Sequence, residues 1–238
     1  TTALNLLAAI AQTGRRPTAL DLDAQGHLSH VFGVKPKHAD DSIYGFFMRN
    51  RPLADLAQFT RSGIVLVPAH MELAKIDSML GKGVNVVTRL RQALRRSDTM
   101  LKPVVMDCCP LLNVLSLNAV FAADAIVVPV SADYLALEGA RQVEHALDAL
   151  EPVVKARITR RYVLTRYDQR RKMSCDVAER MAASFRSDEI CVTRIRESVK
   201  LAESPASGLD IFRAAPGSRG AHDYAALAEE LMSAGFFD

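Results

Sequence analysis

Short runs of apolar residues, with no regular polar alternation, recur along the chain and are separated by segments with helical spacing. Runs of this kind are typical of strands that are covered on both faces, as in a parallel sheet. We predict one strand that leads into Asp21, further strands at 64–68, 104–107, 125–130 and 161–165, and a short edge strand at 190–192.

Apolar residues at helical spacing predict the helices between these strands. We expect helices at 3–14, 71–80, 84–96, 115–122, 135–150, 175–185 and 220–234, and a polar, loop-rich segment up to Asp41. Strands that alternate with helices predict an α/β fold, with a mostly parallel twisted sheet and helices on both of its faces. No internal repeat, low-complexity tract or linker is visible in the sequence, so we expect a single domain over 1–238.

Composition narrows the class of protein. Hydrophobic residues make up 49% of the 238 residues, which is enough for a full core. No apolar run approaches the roughly 18 residues that span a bilayer, and no signal peptide is visible. The four cysteines at 108, 109, 175 and 191 form no CxxC pair, which favours a reduced, cytoplasmic protein without structural zinc.

The net charge of +3 is unevenly distributed along the sequence. Residues 151–200 contain 13 Lys and Arg against 7 Asp and Glu, whereas the rest of the chain has a small excess of acidic residues. A basic block of this kind is a candidate surface for nucleic acid. The alternative is a set of helix faces whose charges are simply solvated.

Carboxylates follow two of the predicted strands. Asp107 ends the run at 104–107, and Asp21 and Asp23 follow the first strand. Open α/β sheets bind their ligands at the carboxyl ends of the strands, and carboxylates at two such ends indicate a magnesium–phosphate site. The alternative for Asp107 is a simple helix N-cap.

Several segments resemble, in the same order, the ParA/MinD class of P-loop ATPases, also called the deviant Walker A class, and most closely its ParA/Soj-type partition ATPases. These segments are 21–26, 104–110, 123–130 and 195–207, with further similarity at 209–212 and 218–224. The opening residues 1–6 look like those that follow the glycine-rich phosphate loop of that class. The resemblance implies a three-layer P-loop NTPase-like fold that binds ATP and Mg²⁺.

The resemblance also implies roles for individual residues. Asp107 resembles the Walker B carboxylate, which holds magnesium through a water, and Asp23 resembles the switch carboxylate that places the attacking water and the metal. Asp21 orients Asp23 or reaches the magnesium shell through water. Thr1 would be a magnesium ligand, and Thr1 and Thr2 would line the nucleotide. The class usually has proline where Ala24 stands, a change that removes no chemical group.

One element of the class is missing from the sequence: no GK[ST] motif precedes Thr1. The resemblance therefore implies that a strand and the phosphate loop lie before residue 1. Thr165 and Arg166 match positions near the adenine, and Pro205 matches the segment that packs on the base. Structural roles are an equal alternative for these three residues.

Four basic residues, Arg194, Arg196, Lys200 and Arg219, match positions of the non-specific DNA contacts in this class, and each has a solvated surface position as its alternative. The resemblance implies a cytoplasmic, nucleoid-associated switch. ATP would drive formation of a homodimer that binds DNA, and a ParB-like or other adaptor protein would trigger ATP hydrolysis and release.

Two alternatives belong to other classes of function. The first is a MinD-like ATPase that associates with a membrane through a basic C-terminal amphipathic helix. Residues 220–238 contain no Lys or Arg, so we expect no membrane partner. The second alternative is a non-catalytic scaffold that has lost its phosphate loop.

Overall fold

The computed structural model describes residues 1–81, 83–96, 102–109 and 113–237. Pro110, within the segment 104–110, lies outside these residues. The strands are β1 (Thr18–Asp21), β2 (Gln58–Phe59), β3 (Val65–Val67), β4 (Val104–Asp107), β5 (Ile126–Ser131) and β6 (Arg160–Thr165). The α-helices are α1 (Thr2–Gln12), α2 (His27–Val31), α3 (Ile43–Arg49), α4 (Leu53–Leu56), α5 (Ile76–Met79), α6 (Val84–Val87), α7 (Arg89–Arg96), α8 (Val114–Ala122), α9 (Tyr134–Val154), α10 (Lys172–Ser184), α11 (Val199–Glu203), α12 (Ile211–Ala214) and α13 (Arg219–Ser233).

The chain forms two compact units. Unit 1 contains residues 1–123 and 204–214, and unit 2 contains residues 124–203 and 215–238. The segment 204–214 therefore belongs to unit 1, although the residues on either side of it along the chain belong to unit 2. The interpretation of 1–238 as one domain stays a prediction.

Unit 1 contains a four-stranded sheet in the order β2-β3-β1-β4. Strands β3, β1 and β4 are parallel, and β2 runs antiparallel to β3. Consecutive residues of β1 point to opposite faces, so Ala19 packs with Leu7 of α1 while Leu20 packs with Leu90 of α7. The sheet of unit 1 is thus covered by helices on both faces.

Unit 2 contains the parallel pair β5–β6, with register from Ile126 opposite Arg160 to Ser131 opposite Thr165. Helices α9 and α10 cover its core, where the rings of Tyr162 and Phe185 stack with their centroids 3.9 Å apart. The predicted α/β fold with a mostly parallel sheet is confirmed, with the paired strands divided between the two units.

Three local predictions need correction. The expected edge strand at 190–192 is only a single parallel bridge between Ile190 and Tyr162. The expected helix at 84–96 breaks at Thr88, and the expected helix at 71–80 begins as a 3-10 helix over Met71–Lys75. Helices α2 and α3 lie in and just beyond the segment expected to be loop-rich, where short helices give little periodic signal.

Candidate functional site

The carboxyl ends of β1 and β4 lie side by side in unit 1. Asp21 is the register partner of Asp107, and the Leu22 N–H donates a hydrogen bond of 2.8 Å to the Asp107 carbonyl. Because the two strands are parallel and in this register, their terminal carboxylates lie at the same edge of the sheet. The expected convergence of the two strand ends is therefore present in the structure.

Asp21 is fully buried, and its carboxylate is occupied by hydrogen bonds within unit 1. Its Oδ2 accepts from the N–H of Ser29 at 2.8 Å and from the Ser29 hydroxyl at 2.6 Å, while Oδ1 accepts from the Asp23 N–H at 3.3 Å. Burial raises the pKa of Asp21, and these hydrogen bonds partly oppose that rise. This geometry favours the orienting role of Asp21 over a water-mediated contact with magnesium.

Asp23 lies just beyond the end of β1 and is half-buried. Its Oδ1 accepts from the Gln25 N–H at 3.0 Å, and its carbonyl accepts from the Gly26 N–H at 2.9 Å. Gly26 has a positive φ of 61° and immediately precedes α2. Gln25 and Gly26 thus shape the turn, which forms with Ala24 in place of proline.

Asp107 has the strongest electrostatic perturbation among these carboxylates. Burial, followed by the neighbouring charge of Asp21, raises the pKa of Asp107 from 3.8 to about 6. Asp23 acts in the same direction, whereas the side chain of His27 lowers the pKa. Helix α1 packs beside β4, the strand that ends at Asp107.

Helix α1 presents its N-terminus to this edge. Thr1 is its N-cap, and the Asn5 side chain donates to the Thr1 carbonyl at 3.1 Å. The Asn5 Oδ1 accepts from the Ile211 N–H at 2.9 Å, which fixes the first turn of α1 within unit 1. A helix N-terminus favours anions, so a phosphate and a cation can be accommodated beside each other here.

These residues fit a magnesium ion that is bound together with phosphates. Among the residues that the structure describes, no group of three or more His, Cys, Asp or Glu side chains is arranged to ligate a metal. Mg²⁺ is commonly held by one or two carboxylates, with waters and substrate phosphates completing its shell. Asp23, Asp107 and the Thr1 hydroxyl are the donors available for that arrangement.

The residues expected near the adenine are divided between the two units. Thr165 and Arg166 are at the end of β6 in unit 2, and Pro205 lies in a 3-10 helix of unit 1. The Thr165 hydroxyl donates to the Val130 carbonyl at 3.3 Å, and Arg166 forms an ion pair of 3.1 Å with Glu197. Their assignment to the nucleotide stays a prediction.

Two of the four expected DNA-binding residues are engaged in ion pairs. Arg196 donates twice to the Asp223 carboxylate through Nε, at 3.1 Å, and once through a terminal nitrogen, at 2.5 Å. Lys200 pairs with Glu203 at 3.2 Å. Arg194 stacks 4.8 Å above the Tyr167 ring, and Arg219 is exposed at the start of α13.

Pairing extends through the rest of the basic block at 151–200. Residues that form ion pairs include Arg157, Arg160, Arg166, Arg170, Arg171 and Arg186, in addition to Arg196 and Lys200. The charge count along the sequence therefore overstates the positive charge that is available to a partner. DNA binding through the four predicted residues stays a prediction.

Sequence reasoning missed Ser29. Its hydroxyl donates to Asp21 and accepts from the Ala69 N–H at 3.0 Å, so it connects the turn after β1 to the chain that follows β3. The only signal was the pair of apolar residues Leu28 and Val31, which flank Ser29 on the buried face of α2. A helix of five residues is too short for that spacing to be distinctive.

Comparisons of sequence find relatives over nearly the whole chain. The profile of the family described as "AAA domain" matches residues 1–159. The chain is 33% identical over 236 residues to the chromosome partitioning protein ParA of Myxococcus xanthus, covering 98% of this chain and 82% of that protein. It is 36% identical over 234 residues to the chromosome-partitioning ATPase Soj of Thermus thermophilus, covering 98% of this chain and 90% of that protein.

Comparisons of structure agree as well. Cobyrinic acid a,c-diamide synthase from Mycobacterium smegmatis, solved with a bound ATP analog and magnesium, matches with a TM-score of 0.82 and 25% identity over 98% of this chain and 90% of that chain. A plasmid partition protein from Borrelia burgdorferi matches with a TM-score of 0.77 over 98% of this chain and 92% of that chain. Because the two are only 16% identical, this match shows the fold alone. Together with the sequence relatives, these findings show that the chain belongs to the ParA/MinD family of P-loop ATPases.

Proposed function

We propose that this protein is a ParA-like positioning ATPase that binds ATP and Mg²⁺ at the carboxyl edge of the unit 1 sheet. The observation that carries the proposal is the register in which Asp21 lies opposite Asp107, with Asp23 in electrostatic reach and α1 packed beside β4. The sequence relatives are partitioning proteins, and a structural relative holds an ATP analog with magnesium.

The carboxylates of this site would have different roles in ATP hydrolysis. In this proposal Asp107 holds the metal through a water and Asp23 orients the attacking water. The hydrogen bond from the Asp23 N–H to Asp21 supports the turn that carries Asp23. Phosphoryl transfer to water depends on positioned charge more than on covalent chemistry. Bound magnesium supplies the positive charge that stabilises both the triphosphate and the ionised form of Asp107.

The proposed cycle follows the partition ATPases. ATP drives homodimer formation, the dimer binds DNA without sequence preference, and an adaptor protein of the ParB type stimulates hydrolysis and release. The protein would act in the cytoplasm on the nucleoid, with a plasmid, a chromosome origin or a protein assembly as cargo. Arg194 and Arg219 are the better supported DNA contacts, because their guanidinium groups form no ion pair with a residue that the structure describes.

Membrane positioning has less support. Among the described residues, no helix is both long enough and apolar enough to cross a bilayer. Helix α13 has buried apolar residues Tyr224, Leu227 and Leu231, and its Glu230 accepts from the N–H groups of Val192 and Thr193. An apolar face that is already buried is not available to a lipid surface.

The test is ATP hydrolysis by the full-length protein and its Asp107→Asn and Asp23→Asn variants. For a water-mediated magnesium ligand we expect Asp107→Asn to reduce the hydrolysis rate by roughly 10–100-fold. Asp124→Asn is the matched control, because Asp124 is exposed and lies in unit 2. Equal rates for Asp107→Asn and the control would contradict the proposed site, and no nucleotide binding by the wild type would favour a scaffold.

The DNA part of the cycle needs a separate measurement. Retention of the wild-type protein on DNA should require ATP and should decrease with salt, because phosphate contacts release counterions. Retention that is equal with and without nucleotide would contradict an ATP-driven switch.

A further inference from the structure

The amino ends of the unit 1 strands carry a set of cations that the proposed ATP site does not use. Arg16 precedes β1, Lys102 precedes β4, and Arg61 lies in the turn that leads into β3. The Thr18 N–H donates to the Pro103 carbonyl at 2.9 Å, and the Val65 N–H donates to the Pro17 carbonyl at 3.1 Å. These hydrogen bonds hold the three approaching segments side by side at one edge of the sheet.

Helices on both faces add further cations to this edge. Helix α7, on one face, ends with Arg95 and Arg96, shortly before β4 begins. On the other face, Arg213 of α12 and Arg61 line an open recess of about 310 Å³, together with Gln12 and Ser62. We call Arg16, Arg61, Arg95, Arg96, Lys102 and Arg213 the amino-edge surface.

The cations of the amino-edge surface have no ion-pair partner among the described residues. All six side chains are exposed. The recess contains one carboxylate, Asp210, which is only 4% exposed and accepts from the Arg213 N–H at 3.0 Å. For the part of unit 1 that the structure describes, six unpaired cations and one buried, hydrogen-bonded carboxylate give a net positive charge.

We propose that the amino-edge surface binds the phosphate backbone of duplex DNA, in addition to the residues of unit 2. This inference rests on the proposed DNA binding and assigns an additional surface to it. Five of the six cations are arginines, which bind phosphate oxygens through paired N–H groups. The donors Gln12 and Ser62 extend the same chemistry into the recess.

The extent of the surface favours DNA over an acidic peptide. Helices and sheet form three layers, so the cations spread over roughly 20 Å, if a helix is about 10 Å across. Duplex DNA carries about one charge per 1.7 Å of axis and offers phosphates over that whole width.

The experiment compares two triple variants of the full-length protein in ATP. The test variant is Arg16→Gln, Arg61→Gln and Arg213→Gln, and the matched control is Arg49→Gln, Arg170→Gln and Arg186→Gln. The control arginines are exposed but already paired with Asp40, Asp168 and Asp188. Affinity for a short duplex of mixed sequence is measured by fluorescence anisotropy between about 50 and 200 mM salt.

We expect the slope of log K against log salt to decrease by about 2–3 for the test variant, or about 0.9 for each phosphate that is no longer neutralised. The control variant should keep the wild-type slope within about 0.5. Basal ATP hydrolysis should be unchanged in both, because the amino edge is at the opposite end of the strands from Asp107.

Other outcomes overturn the inference in distinguishable ways. If the wild type binds DNA and the test variant keeps the same slope, the amino-edge surface does not bind DNA and the proposed function stands. If the test variant loses binding to polyglutamate but keeps binding to DNA, the partner is an acidic polypeptide. If the wild type shows no DNA binding while it hydrolyses ATP, both DNA proposals fail and the ATPase remains.

Discussion

Charge is arranged differently in the two units. In unit 1, like charges are grouped at each end of the sheet, with Asp21, Asp23 and Asp107 at the carboxyl edge and the amino-edge surface at the other, although ion pairs such as Arg49 with Asp40 are also present. In unit 2, most arginines of the basic block form ion pairs, and even the fully buried Arg160 is bonded to Asp148 and Glu151. We infer that paired charge in unit 2 stabilises the fold, whereas the proposed ligands of unit 1 would balance its grouped charges.

The largest effect should come from breaking the pairing in unit 2. Arg160→Met removes a buried guanidinium and leaves Asp148 and Glu151 with only their longer 3.6 Å contacts to Arg157. We therefore expect a loss of about 3–5 kcal/mol in the free energy of unfolding. Chemical denaturation of the wild type and the variant at neutral pH measures this loss. A loss below about 1 kcal/mol would show that the pairing in unit 2 is not structural.

The second-largest loss of stability should come from removing the hydrogen bond that Ser29 donates to the buried Asp21. Ser29→Ala removes a hydroxyl that donates to Asp21 and accepts from Ala69, so we expect a loss of about 2–3 kcal/mol in the free energy of unfolding. Denaturation curves should be compared with those of Ser78→Ala, because the exposed Ser78 hydroxyl bonds only to the Lys75 carbonyl within its own helical turn. Equal losses would mean that Asp21 does not depend on Ser29.

Removing the Asp107 carboxylate from unit 1 should raise the free energy of unfolding, whereas the two substitutions above lower it. The folded-state pKa of Asp107 is about 6, above its ordinary value of 3.8, so the native state holds this proton more tightly than the unfolded chain does. The stability from this group is fully present below about pH 3.8 and is lost as the pH rises to about 6.

Without nucleotide, Asp107→Asn should therefore raise the free energy of unfolding by about 1–2 kcal/mol at pH 7, and the gain should disappear near pH 4. Paired denaturation series of wild type and variant over this pH range measure the difference. A variant that is less stable than the wild type at pH 7 would contradict the idea that unit 1 holds unbalanced charge.

The smallest effect should come from an exposed pair in unit 2. Arg170 and Asp168 pair at 2.9 Å, and the arginine keeps the pKa of Asp168 lowered to about 2. Because Arg170 is almost fully exposed, water screens this pair, and Arg170→Ala should leave the midpoint of chemical denaturation unchanged within experimental error. A clear shift of that midpoint would mean that the surface pairs of unit 2 also contribute to its fold.

The sequence allowed the fold class and the central pair of carboxylates to be predicted. Unalternated apolar runs identify parallel strands, and parallel strands bring their terminal residues to one edge of the sheet. That Asp21 and Asp107 are direct neighbours at that edge follows from the strand order, which had no signal in the sequence. Contacts between distant segments had no local signal. Arg89, for example, donates to the carbonyls of Phe46 and Phe47, and its helix α7 starts immediately after the break at Thr88.

Charge was the least predictable property for the same reason. The pair of Arg196 with Asp223 joins residues far apart in the chain, so a count over 151–200 includes the arginine and omits its carboxylate. The cations of the amino-edge surface come from five separate segments and form no basic block in the sequence. Only the topology reveals which charges are neutralised and which are grouped.

The hydrogen bond between Asn5 and Ile211 has a consequence for biosynthesis. It ties the first helix to a segment 206 residues later, so unit 1 cannot complete its fold until most of the chain has left the ribosome. The residues of β5 and β6 emerge earlier and pair with each other over a much shorter loop. Closure of long loops is slow, and folding of unit 1 should therefore lag behind its translation.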